Sequence, residues 1–103
     1  MIKDIDFDDF TIVWKKHALQ RMLERSISRA EVKIAIQKGT LIEEYPEDYP
    51  YPSCLIAYIN VKKSLHIVLS IDATSQLISI ITVYEPDTNH FENDLITRRK
   101  DEK

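Results

Sequence analysis

The chain is poor in several of the residues that most often announce a function. Gly39 is its only glycine. A phosphate cradle of the GxGxxG or GxxxxGK kind needs at least two, so the usual nucleotide-binding folds are excluded. Cys54 is the only cysteine, which rules out an internal disulfide and fits a reducing compartment. No apolar run approaches the roughly 18 residues of a membrane span, and the start, MIKDIDFDDF, lacks signal-peptide character. A soluble, cytoplasmic chain without membrane association is expected. Basic charge is not in excess either: 14 Lys and Arg face 17 Asp and Glu, a net charge of −3, unlike a general nucleic-acid binder.

The charge that is present is unevenly spread. Acids gather at Asp4, Asp6, Asp8 and Asp9, and again at Glu43, Glu44, Glu47 and Asp48. Bases gather from Lys15 and Lys16 through Arg29, and at Arg98, Arg99 and Lys100. A local positive surface on an acidic protein is therefore open. With 44% hydrophobic and 30% charged residues over 103 positions, the composition is that of one globular domain with its own core. Residues 1–103 read as a single domain, with a core over about 11–86 and a polar, partly helical tail over 87–103. No repeat, low-complexity stretch or linker interrupts it.

Hydrophobic periodicity places the elements. Thr11–Trp14 is β-branched and aromatic, either a short strand or the entry to a helix. From Lys15 to about Ser26 the period is helical, with Leu19, Met22, Leu23 and Ser26 or Ile27 forming the apolar stripe. Ser28-Arg29-Ala30-Glu31 spells a capping box, Val32, Ala35 and Ile36 supply a second helix's inner face, and Gly39 stands where a left-handed C-terminal residue belongs. The period then changes to two. Thr40–Tyr45, Ser53–Val61, Ser64–Asp72 and Gln76–Glu85 read as strands, joined at Lys62-Lys63 and Ala73–Ser75 by hairpin turns. Between the first two lies a proline-stiffened loop, Pro46–Pro52. The expected fold is α+β, with two N-terminal helices packed on an antiparallel sheet of three to four strands.

Two groups of residues can carry chemistry. On the first helix His17 and Arg21 are four apart and Arg25 follows one turn later, so an imidazole and two guanidiniums share a face with Lys16 close by. Imidazole titrates near neutrality, and guanidinium is a forked donor for phosphate oxygens. The plain alternative is a solvated helix face on which Glu24 pairs with the arginines. On the sheet, a three-residue turn at Ala73–Ser75 would pair Asp72 with Gln76 and set His66 opposite Thr82, with Tyr84 on the same face. The plain alternative there is a core histidine bonded to a neighbour. Three histidines and a cysteine show no CxxC or HxxxH spacing, so neither a metal nor another cofactor is expected. Cys54 reads as a small buried hydrophobe. The Tyr45–Tyr51 loop, aromatic and acidic, reads equally as a protein-binding surface and as a turn covering the sheet end.

The segments from His17 to Arg25 (HALQRMLER), Ile27, Glu31-Val32, Tyr51–Leu55, Leu65–Val68 and Ile80–Asp87 (IITVYEPD) resemble a family of short bacterial proteins known as a domain of unknown function. The resemblance runs from about Trp14 to Asp87. Ser26 differs, standing at the inter-helix turn where the family usually has glycine. Such proteins are similar to RelE- and BrnT-like toxins of toxin–antitoxin pairs, and their genes often neighbour a zinc-finger antitoxin of the kind paired with MqsR toxins. The resemblance implies a RelE-like fold and metal-independent RNA cleavage, either free or on the ribosome, blocked by a partner protein. His17, Arg21, His66 and Tyr84 are then the catalytic candidates, and Lys16, Arg25 and Thr82 the RNA-binding ones. If the helix face abuts the hairpin end, the two groups form one cleft. The rival expectation is a non-catalytic protein-binding module.

Overall fold

The computed structural model describes residues 7–87, 91, 92 and 94–97. Asp4, Asp6, His90 and the Arg98-Arg99-Lys100 cluster lie outside the described residues. After a single 3-10 turn at Phe7–Asp9, the order is β1 (Thr11–Trp14), α1 (Lys16–Glu24), α2 (Arg29–Lys38), β2 (Thr40–Tyr45), β3 (Ser53–Tyr58), β4 (Leu65–Asp72) and β5 (Leu77–Tyr84). The strands form one five-stranded sheet in the order β1-β5-β4-β3-β2.

This corrects the expected fold in two respects. The sheet is mixed, because β1 runs parallel to β5, from Thr11 opposite Leu77 to Trp14 opposite Ile80. The helices lie between the first and second strands instead of preceding the sheet. The reason is physical. Antiparallel neighbours announce themselves by a short turn, whereas a parallel pair needs a long crossover and leaves no local mark. Here the crossover runs from Lys15 to Gln76, more than half of the chain, and β1 is only four residues long.

Each helix has a legible cause. In α2, Ser28 Oγ accepts from the Glu31 backbone N–H at 3.0 Å, and Glu31 Oε1 accepts from the Ser28 N–H at 2.9 Å, the reciprocal bonds of a capping box. The Ser28 N–H is also the chief reason the Glu31 carboxyl titrates below its ordinary range. Val32, Ala35 and Ile36 are buried as expected. In α1 the inner face is Ala18 and Met22, with Leu19 half-buried; Leu23 is 83% exposed and does not join the stripe. Ser26, between the helices, has φ of 56°, a left-handed conformation that glycine adopts without penalty. Gly39 does not take that conformation: its φ is −77° and its ψ 177°. It is required by close approach, since a Cβ there would lie 2.4 Å from the Ala35 carbonyl oxygen and 2.7 Å from Ile56 Cγ2.

The two sides of the sheet differ. Leu65, Ile67, Leu69 and Ile71 of β4, Ile78, Ile80 and Val83 of β5, and Cys54 and Ile56 of β3 join the buried residues of both helices in one core. Alternation sends Leu55, Ala57, His66, Val68, Thr82 and Tyr84 to the other side. The β3–β4 connection is a six-residue loop, Ile59–Ser64, not a two-residue turn. Asn60 organises it: its side-chain oxygen accepts from the Lys62 N–H at 2.9 Å, and Ser64 Oγ donates to its carbonyl at 3.1 Å. Among the described residues, no helix is long and apolar enough to cross a membrane.

Candidate functional site

The α1 face forms as its sequence spacing dictates. Lys16, His17, Arg21 and Arg25 are all exposed on it. Arg21 Nη1 lies 3.9 Å from Glu24 Oε1 one turn away, a loose surface pair worth well under about 1 kcal/mol. The N-terminus of the helix has an unusual chemical character. Lys15 occupies the cap position without a side-chain cap, and no acid stands in the first turn. The first N–H groups of a helix lack intrahelical partners, and the helix dipole makes that end positive. Lys15, Lys16 and His17 add positive or protonatable groups where a helix ordinarily carries acids. That arrangement costs stability and favours an anion.

The His66 site lies elsewhere. Its expected register is shifted twice. The β4–β5 turn has four residues, Ala73–Gln76, so Asp72 pairs with Leu77, and Gln76 takes a positive φ of 56°. A β-bulge then leaves Ile81 unpaired between Val68 opposite Thr82 and Leu69 opposite Ile80. Each shift alone would move His66 to the wrong face of its partner strand; together they restore the face and advance the pairing by two. His66 therefore stands opposite Tyr84, and Thr82 stands opposite Val68.

His66 is fully buried, at 0% exposure. Its Nε2 lies 2.7 Å from the carbonyl oxygen of Leu95, and its Nδ1 lies 3.2 Å from the Tyr84 hydroxyl. A carbonyl only accepts, so Nε2 carries a hydrogen, and Nδ1 shares a hydrogen bond with the Tyr84 hydroxyl. Phe91 packs edge-on against the imidazole with ring centroids 4.6 Å apart and is itself buried. The described part of the expected polar tail is thus a cap on His66, not a helix. Phe91 and Leu95 were missed as site residues. The available signal was a lone aromatic, Phe91, in a mostly polar stretch.

The sheet lies between the two groups. α1 packs on the core side of β5, whereas His66, Thr82 and Tyr84 face the opposite side. His17 and His66 do not share a cleft. Two cavities lie elsewhere among the described residues: one of about 270 Å³ between Phe10, Ile12, Trp14 and the Lys33–Gln37 turn of α2, and one of about 220 Å³ beside Ile34, Tyr58 and Lys63. Lys63 was read only as a turn residue, yet its ammonium donates to the Ser26 carbonyl at 2.9 Å and lies 3.2 Å from Glu31, tying the β3–β4 loop to the inter-helix turn. Arg29 covers the Trp14 ring at 5.3 Å.

Cys54 is buried, and burial, with the Glu44 charge adding to it, pushes its thiol up to about 12. A thiol so placed is no nucleophile near neutrality. Among the described residues, no three His, Cys, Asp or Glu side chains stand together as a metal site would need.

A family model described as "Domain of unknown function (DUF4258)" matches residues 14–85, nearly the span over which the motif resemblance was drawn. The match speaks to that family alone and not to RelE- or BrnT-like toxins. No curated protein and no solved structure matches the chain.

Proposed function

The chain belongs to the DUF4258 family, and from the site itself we propose that it is a cytoplasmic, metal-independent endoribonuclease of a toxin–antitoxin pair that engages RNA through α1. The observation carrying this reading is the exposed, uncapped N-terminal turn of α1, with Lys15, Lys16 and His17 on it and Arg21 one turn further on. Backbone N–H groups, the helix dipole and these side chains together favour a phosphate. In the reaction, the RNA 2′-hydroxyl attacks the adjacent phosphorus, the P–O5′ bond breaks with the leaving 5′-oxygen taking a proton from water, and a 2′,3′-cyclic phosphate forms. His17 takes the hydroxyl proton, Arg21 balances charge on the phosphorane oxygens, and Lys16 and Arg25 hold the flanking backbone. Tyr84 and Thr82, on the far side of the sheet, drop out of the reacting set, and the buried His66 has a structural role. The partners of this reading are RNA, free or on the ribosome, and an antitoxin protein of zinc-finger type.

The second reading is a non-catalytic protein-binding module. It is favoured by the burial of His66, which leaves His17 without a second exposed histidine among the described residues to protonate the leaving oxygen. Incubation with single-stranded RNA in EDTA, scoring cyclic-phosphate ends, separates the two. Cleavage should fall by about 10²–10⁴ in His17→Ala, the usual worth of a general base, and by a comparable factor in Arg21→Ala. No cleavage by folded wild type, free or with ribosomes, would leave the binding module standing.

A further inference from the structure

We infer that the outer edge of β2, with the Pro46–Pro52 loop that follows it, docks an extended segment of a partner protein carrying adjacent basic residues. This deepens the partner-protein part of the proposed function and rests on it, but not on RNA cleavage. β2 is the last strand of the sheet, with β3 on one side and no strand on the other among the described residues. An edge of this kind is a template for an added strand.

The chemistry of this edge selects its occupant. Between Lys38 and Lys62 the sequence contains no basic residue, yet it holds Glu43, Glu44, Glu47 and Asp48. Glu43 pairs with Leu55 on the side away from the helices, and Glu44 pairs with Cys54 on the helix side. The edge therefore offers one carboxylate on each face. A second copy pairing here would bring glutamates against glutamates, whereas a strand with neighbouring Arg or Lys residues would meet an opposite charge on both faces.

The loop is preorganised for contact. The Ser53 hydroxyl donates to Asp48, the Tyr45 hydroxyl donates to Glu43, and the Asp48 N–H bonds the Tyr45 carbonyl at 3.2 Å. From this tethered frame Tyr49 projects with 95% of its surface exposed. An exposed aromatic on a stiff frame is the common anchor of a protein interface and can also stack on a guanidinium.

The test is an NMR titration of the full chain with a synthetic β-hairpin whose outer strand carries two adjacent arginines flanked by threonine and valine. Amide shifts should concentrate in Thr40–Tyr51, and the same hairpin with glutamates in place of arginines should produce none. The doubly reversed variant, Glu43→Lys with Glu44→Lys, should bind the arginine hairpin at least tenfold more weakly and gain response to the glutamate hairpin. Tyr49→Ala, at a position 95% exposed, should weaken binding severalfold. Shifts centred on α1, equal response to both hairpins, or unchanged binding by the reversed variant would overturn the inference. Self-association that the reversed variant alters would overturn it too. RNA cleavage is scored separately, so the failure of either reading is visible by itself.

Discussion

The two described histidines singled out by the sequence have opposite surroundings. His17 sits in the first turn of α1, exposed among cations at the positive end of a helix. His66 sits on the far side of the sheet, fully buried, with both ring nitrogens bonded and Phe91 against its face. The first is chemically available but loosely positioned; the second is well positioned but closed to solvent. A residue's chemistry follows from which of these conditions it meets, and neither is visible in the residue type.

The largest expected effect tests whether His66 is structural. His66→Ala removes a buried ring and leaves the Tyr84 hydroxyl and Leu95 carbonyl without this partner, so stability should fall by about 2–4 kcal/mol in urea unfolding. If the variant instead keeps its stability and loses RNA cleavage, the contrast between the two histidines is broken. Tyr84→Phe should act in the same direction more mildly. It deletes the hydroxyl beside Nδ1 at a cost of about 1 kcal/mol, again read from the urea midpoint. The smallest effect is on the other side of the sheet. His17→Ala should change stability by less than about 0.5 kcal/mol, as exposed positions do, while cleavage is lost. A folded His17→Ala protein with full cleavage would remove His17 from the mechanism.

Much of the architecture was legible because its causes are local. The capping box at Ser28–Glu31 satisfies two N–H groups within four residues, and the change of period after Gly39 follows from which side chains must face a core. The family resemblance through the α1 and β5 motifs was legible for the same reason: it lies in contiguous residues. Errors entered where a local signal had more than one tertiary cause. Gly39 was read as a left-handed cap, but what it supplies is the absence of a Cβ against the Ala35 carbonyl and Ile56. Leu23 fits the helical stripe by spacing yet faces water, because that stripe is wider than the surface α1 covers.

By itself, the sequence determined that two helices and β-strands would form, that His17 and Arg21 would share a helix face, and that nucleotide-cradle chemistry was excluded. Only the tertiary structure decided that β1 pairs in parallel with β5, that a four-residue turn and a bulge set His66 opposite Tyr84, and that Phe91 and Leu95 close over it. The physical reason is range. Helix spacing and capping are fixed by bonds among residues a few positions apart. A parallel pairing spanning most of the chain, a register summed over a turn and a bulge, and the side of a sheet on which a helix lies are decided by the packing of the whole core.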